Sequence, residues 1–184
     1  MATSNSNGQD AKVFDFTSAL PFTIYWDANF ILNSVYERGR WHAECVAFGT
    51  RLDQSETISY VSTLALDEVW FSLLQLLIHD DYPDTSFWRI VNADSSVIKN
   101  YINRLEQITN DIYNNPRVRV ISVGSRAPLR ALKHMREFYL LPRDALHLAT
   151  MRQRKIKHLV TTDADFLPAT GISIYTCNPK LFKR

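Results

Sequence analysis

Five acids in this 184-residue chain fall where secondary structure should begin or end. Asp27 directly follows a short apolar run, residues 22–26. Glu68 stands early in a segment of helical periodicity. Asp144 comes two residues after Pro142. Asp163 follows the run 157–162, with Asp165 two residues on. Carboxylates brought to one point repel and cannot all stay ionised without a cation. Oxygen-only ligands suit Mg²⁺ or Mn²⁺ rather than a soft metal. Each acid alone has a plainer reading. An acid in a first helical turn is favoured by the helix dipole, and an acid after a strand is commonly a turn residue or N-cap. These readings account for the acids singly and not for the set in this order. The two cysteines, Cys45 and Cys177, form no CxxC or Cys/His cluster, so a zinc site is not expected and both read as reduced thiols.

The elements that must carry these acids can be traced from periodicity. Residues 22–27 (FTIYWD), 57–63, 117–123, 157–162 and 172–176 read as strands, rich in β-branched and aromatic residues. Helices are expected from residue 29 to near Gly39, over 41–54, 65–79, 95–113, 127–138 and 142–154, with Pro142 suited to a first helical turn. Residues 80–94 read as a loop, and residues 1–20, polar and irregular, as a flexible tail ahead of one domain at 21–184. Alternating strands and helices predict a three-layer α/β/α domain on a central, mostly parallel sheet. In such a sheet ligands bind at the carboxyl ends of the strands, where Asp27, Glu68 and Asp163 would converge and Asp144 could join them.

Composition narrows the class further. A hydrophobic fraction of 46% and an aromatic fraction of 12% exclude a disordered chain. No apolar run is long enough to span a membrane, and the first residues lack a secretory pattern, so a cytoplasmic protein is expected. The net charge of +2 is unevenly spread: residues 126–157 hold nine Lys/Arg against two acids, leaving 12 basic and 17 acidic residues elsewhere. A basic segment in an otherwise acidic chain fits an anionic partner, and fits equally a solvated helix face.

The order of motifs resembles the PIN-domain family and, within it, the VapC-like toxins of toxin–antitoxin pairs. The opening Asp-x-Asn is present as Asp27 and Asn29 in YWDANFIL. The glutamate after the second strand is Glu68 in STLALDEVWF. The Asp-Ala helix is LPRDALHLATM, with Asp144 and Ala145. The closing Thr-x-Asp-x-Asp-Phe is Thr161, Asp163, Asp165 and Phe166. The resemblance runs over about residues 22–178. It implies a metal-dependent endoribonuclease whose catalytic acids are Asp27, Glu68, Asp144 and Asp163. The same four and Asp165 would hold Mg²⁺ or Mn²⁺, Asn29 and Thr161 would support them, and Arg143 and Arg152 would hold the RNA backbone. It also implies an antitoxin protein as partner and a homodimer. Arg143 has a second reading, as a solvated partner for a nearby acid. His147, three residues beyond Asp144, reads as an ordinary surface or core histidine. The polar start and the added length at 80–115 depart from a minimal toxin and leave a housekeeping RNA-processing nuclease as an alternative. A non-cleaving binding module and a phosphatase-type hydrolase are the others, the last expecting an acid where Asn29 stands.

Overall fold

A computed structural model describes residues 11–182. Six strands form one sheet: β1 (Lys12–Asp15), β2 (Thr23–Trp26), β3 (Ile58–Ser62), β4 (Val118–Ile121), β5 (His158–Val160) and β6 (Ser173–Thr176). Their spatial order is β1-β6-β5-β2-β3-β4, and every pairing is parallel. From β2 the chain builds outward through β3 and β4, then crosses back to lay β5 and β6 on the other side. The reversal places a crevice between the carboxyl ends of β2 and β5, where open parallel sheets bind their ligands.

The helices are α1 (Ala28–Val35), α2 (His42–Asp53), α3 (Thr63–Asp81), α4 (Phe87–Ala93), α5 (Lys99–Asn114), α6 (Ala127–Phe138) and α7 (Pro142–Gln153). Successive side chains of a strand point to opposite faces. Tyr25 and Leu159 therefore pack with Phe138, Ala145 and Leu148 of α6 and α7, whereas Ile24, Trp26 and Val160 pack with Phe30, Phe48 and Val69 of α1, α2 and α3. The expected three-layer α/β/α architecture is thus present, with the sheet wholly rather than mostly parallel.

Two expectations are corrected. Part of the predicted tail, residues 1–10, lies outside the described residues, but residues 12–15 form an edge strand paired with β6. Its alternate residues serve both layers: Val13 packs on the α6/α7 side, and Phe14 stacks on Tyr175 at 5.2 Å. The segment after it is pinned by Phe16 stacked on Phe48 at 4.1 Å, by Arg51 donating to the carbonyls of Phe16 and Ser18, and by the Tyr175 hydroxyl donating to Ala19. The second correction is α4, inside the expected loop 80–94. Helix α3 has 19 residues and so extends about 28 Å, beyond the reach of a five-residue strand. Its outer half, Leu74 and Ile78, must find cover elsewhere, and finds it in Tyr101, Phe87, Ile90 and Val91. This contact covers apolar surface of α3 that the sheet leaves bare. Among the described residues no helix is long and apolar enough to cross a membrane.

The edge strand and its anchor are integral to stability. Phe16→Ala should lower the unfolding free energy by about 1–3 kcal/mol through lost burial against Phe30 and Phe48. A urea midpoint equal to that of the unaltered chain would show that the segment only rests on the domain.

Candidate metal centre at the sheet switch point

Asp27 leaves β2 at the head of α1, yet its side chain makes no capping bond to that helix. It accepts instead from the Thr161 hydroxyl at 2.7 Å and from Asn29 Nδ2 at 3.3 Å. It is 2% exposed, so a charge here has almost no water to solvate it. Burial pushes its carboxyl pKa up, opposed by His147 and by the Thr161 hydroxyl. Asp27 thus occupies the N-cap position of α1 without its side chain capping the helix.

Asp163 reaches the same place from β5. Asn29 Nδ2 lies 3.3 Å from one of its oxygens and the backbone N–H of Asp165 donates to the other at 3.1 Å. Thr161 Oγ1 accepts the Asp163 backbone N–H at 3.0 Å, so a single hydroxyl ties both strand-end acids together. Asn29 bridges them a second time. Phe166, fully buried, anchors the outgoing loop, while Asp165 stays at the surface. The adjacent Asp163 charge raises the Asp165 pKa.

Asp144 enters from the first turn of α7, behind Pro142. Its pKa is pushed up to about 7, first by burial and then by the charges of Asp27, Asp163 and Asp165. Glu68, on the second turn of α3, completes the set: its Oε1 is buried without a hydrogen-bond partner, and Arg143 Nε approaches it only to 3.8 Å. The solvated-partner reading of Arg143 fits this loose contact with a half-exposed side chain. Arg152 is placed elsewhere. Its guanidinium donates to the Thr170 carbonyl at 2.9 Å and lies over the Phe138 ring at 5.1 Å, so it holds α7 to neighbouring structure and is not free for RNA.

The sequence reading passed over His147. It is 1% exposed, and its Nε2 lies 3.3 Å from Glu68 Oε1 and 3.9 Å from Asp27 Oδ1. Burial alone would lower its pKa; contact with Glu68 and the charges of Asp27 and Asp144 outweigh this and raise it. The signal was available, because residues three apart on a helix share a face and Asp144 already pointed inward.

The donor set fits a hard divalent cation. Carboxylates from four separate elements meet in a buried crevice, Glu68 Oε1 is orphaned, and Asp144 is destabilised as an anion by its neighbours. Among the described residues no three acid, imidazole or thiol groups already stand at ligand spacing, so the acids are gathered within electrostatic reach rather than locked into a cage.

Asp144 gives this a thermodynamic consequence. An acid with a raised folded-state pKa holds its proton more readily when folded, so its contribution to stability is fully present below the ordinary value of 3.8 and is lost as pH rises from there through about 7. With divalent cations chelated, Asp144→Asn should raise the melting temperature clearly more at pH 8 than at pH 5. Equal shifts at both pH values would show that Asp144 does not feel the other acids.

The PIN domain family matches residues 24–170, a span that contains every acid of the site. No protein with a curated description matches the sequence. Among solved structures, VapC20 of Mycobacterium tuberculosis, a toxin that cleaves the sarcin–ricin loop, superposes with a TM-score of 0.54 at 15% identity, over 78% of this chain and 92% of that one. FitAcB of Neisseria gonorrhoeae superposes with a TM-score of 0.51 at 16% identity, over 83% and 96% of the two chains. At such identities the superpositions speak for the fold alone. The family match covers most of the chain and converges with the site, and the chain belongs to the PIN-domain family.

Proposed function

We propose that this chain is a divalent-metal-dependent endoribonuclease and the toxin of a type II toxin–antitoxin pair. The observation that carries the reading is the gathering of Asp27, Glu68, Asp144 and Asp163 at the sheet's switch point, where burial and then the charges of Asp27, Asp163 and Asp165 push Asp144 up to about 7. Mg²⁺ or Mn²⁺ held by these acids would supply neutralisation of the attacked phosphate and activation of water. The chain's own residues do the rest. Thr161 and Asn29 fix the Asp27 and Asp163 carboxylates. Asp165, exposed beside Asp163, serves the ion from farther out, through water, as suits an ion that keeps much of its hydration shell. Arg143, half-exposed beside Glu68, would meet the RNA backbone. Similarity to the VapC20 toxin supports the toxin reading and, with it, an antitoxin partner. A homodimer belongs to the same reading, and a monomer by light scattering at micromolar concentration would count against it.

Cleavage of single-stranded RNA with Mg²⁺ or Mn²⁺, and none of simple phosphate monoesters, is the deciding experiment. Asp27→Asn, Glu68→Gln, Asp144→Asn and Asp163→Asn should each reduce the rate on the order of 100-fold or more. Asp165→Asn should be milder than Asp163→Asn at saturating Mn²⁺, and the reverse order would give Asp165 the inner role. RNA bound but never cut under any metal would leave a binding module instead.

The basic segment adds a salt test. Of its nine basic residues all but Arg152 are exposed. Each phosphate contact releases counterions, so RNA affinity should fall steeply with salt. Replacing Arg143 and Arg154 together by alanine should flatten the log–log slope by about 1.4 units. An unchanged slope would place the RNA path elsewhere.

A further inference from the structure

A buried polar chain runs beneath the acids, and the function proposed above makes no use of it. The Tyr25 hydroxyl lies 2.5 Å from Ser62 Oγ and 2.6 Å from His147 Nδ1. Ser62 Oγ also accepts the Ala65 N–H at 3.1 Å, which fixes it to the first turn of α3, the helix that carries Glu68. The other end of the chain, His147 Nε2, is buried without a hydrogen-bond partner and is aimed at Glu68 Oε1, 3.3 Å away, and Asp27 Oδ1, 3.9 Å away. Tyr25 and Ser62 are both fully buried.

Packing alone gives no reason for this arrangement. Burying a hydroxyl, a phenol and an imidazole costs free energy unless each is partnered, and phenylalanine and leucine would fill the same space without that cost. The direction of the chain follows from what its last partners can do. Ionised carboxylates only accept hydrogen bonds, so an imidazole nitrogen turned toward two of them must present an N–H. This holds whether Nδ1 donates to the Tyr25 oxygen or accepts from its hydroxyl.

We propose that His147 is a positioning residue for the metal centre. Its Nε2–H, with the ring oriented by Tyr25 and Ser62, faces Glu68 Oε1 at 3.3 Å and orients that carboxylate toward the cation. The role rests on the metal-site reading above. It is a histidine acting on a ligand, from the same helix that supplies Asp144. Supporting partners of this kind commonly govern metal affinity by 10–100-fold.

The test is Mn²⁺ binding by the full chain without RNA, followed by the electron paramagnetic resonance of free Mn²⁺ during titration. His147→Ala should weaken binding about 10–100-fold. His147→Gln, whose amide N–H can still reach toward Glu68, should recover most of the loss. Tyr25→Phe keeps the ring and removes only the hydroxyl, and should weaken binding in the same direction by less. Melting curves taken with cations chelated establish which variants are folded, and Tyr25→Phe decides the matter if His147→Ala is not. Wild-type affinity in both His147→Ala and Tyr25→Phe would overturn the inference while leaving the metal site intact. Imidazole-nitrogen coupling to the bound Mn²⁺ would also overturn it, by making His147 a ligand. No Mn²⁺ uptake by the unaltered chain would remove the metal reading itself, and this role with it.

Discussion

Repulsion among carboxylates that share one buried crevice is the constraint from which the rest of the site follows. An isolated ionised carboxylate at the depth of Asp27 is costly, and each added acid raises the cost. The fold answers with hydrogen-bond donors placed singly: the Thr161 hydroxyl on Asp27, the Asp165 N–H on Asp163, and the Asn29 amide between the two. Asp144 receives no comparable help, and burial together with the charges of Asp27, Asp163 and Asp165 pushes its pKa up to about 7. The site therefore stays incompletely neutralised by protein groups alone.

The parallel sheet makes such crowding attainable. β2 and β5 are direct neighbours, with Trp26 level with Val160, so the residues that follow each strand emerge side by side although 134 positions separate Asp27 from Thr161. α3 and α7 approach from opposite layers, bringing Glu68 and Asp144 over the same gap. Helix α3 meets its own geometric demand by extending past the sheet, and α4 exists to cover that extension.

Much of this could be read from residue order. The five strands and six helices expected from periodicity are present with shifted ends, because alternation and helical spacing directly encode which face is buried. The misses share a cause: signals that are weak locally and become meaningful only in tertiary contact. β1 has four residues in a polar stretch, and its partner lies at the far end of the chain. α4 has seven residues, none fully buried, between acids and a proline. Arg152 looked like a free cation because sequence does not reveal a carbonyl and an aromatic ring waiting for it. His147 looked ordinary because its partners, Tyr25 and Glu68, stand 122 and 79 positions away.

The pairing of β1 with β6 bears on when the nuclease site can come into being during translation. Lys12 is aligned with Ser173, and Asp27 has no hydroxyl partner before residue 161 has been added. A nascent chain that stops short of β5 holds Asp27, Glu68 and Asp144 but neither Thr161 nor Asp163, and it exposes the flank of β2 that β5 later covers. Contacts of such long sequence separation form late and slowly. The acids are thus gathered only once the segment through Asp163 is available to fold, an order of events that leaves a shorter nascent copy without the site.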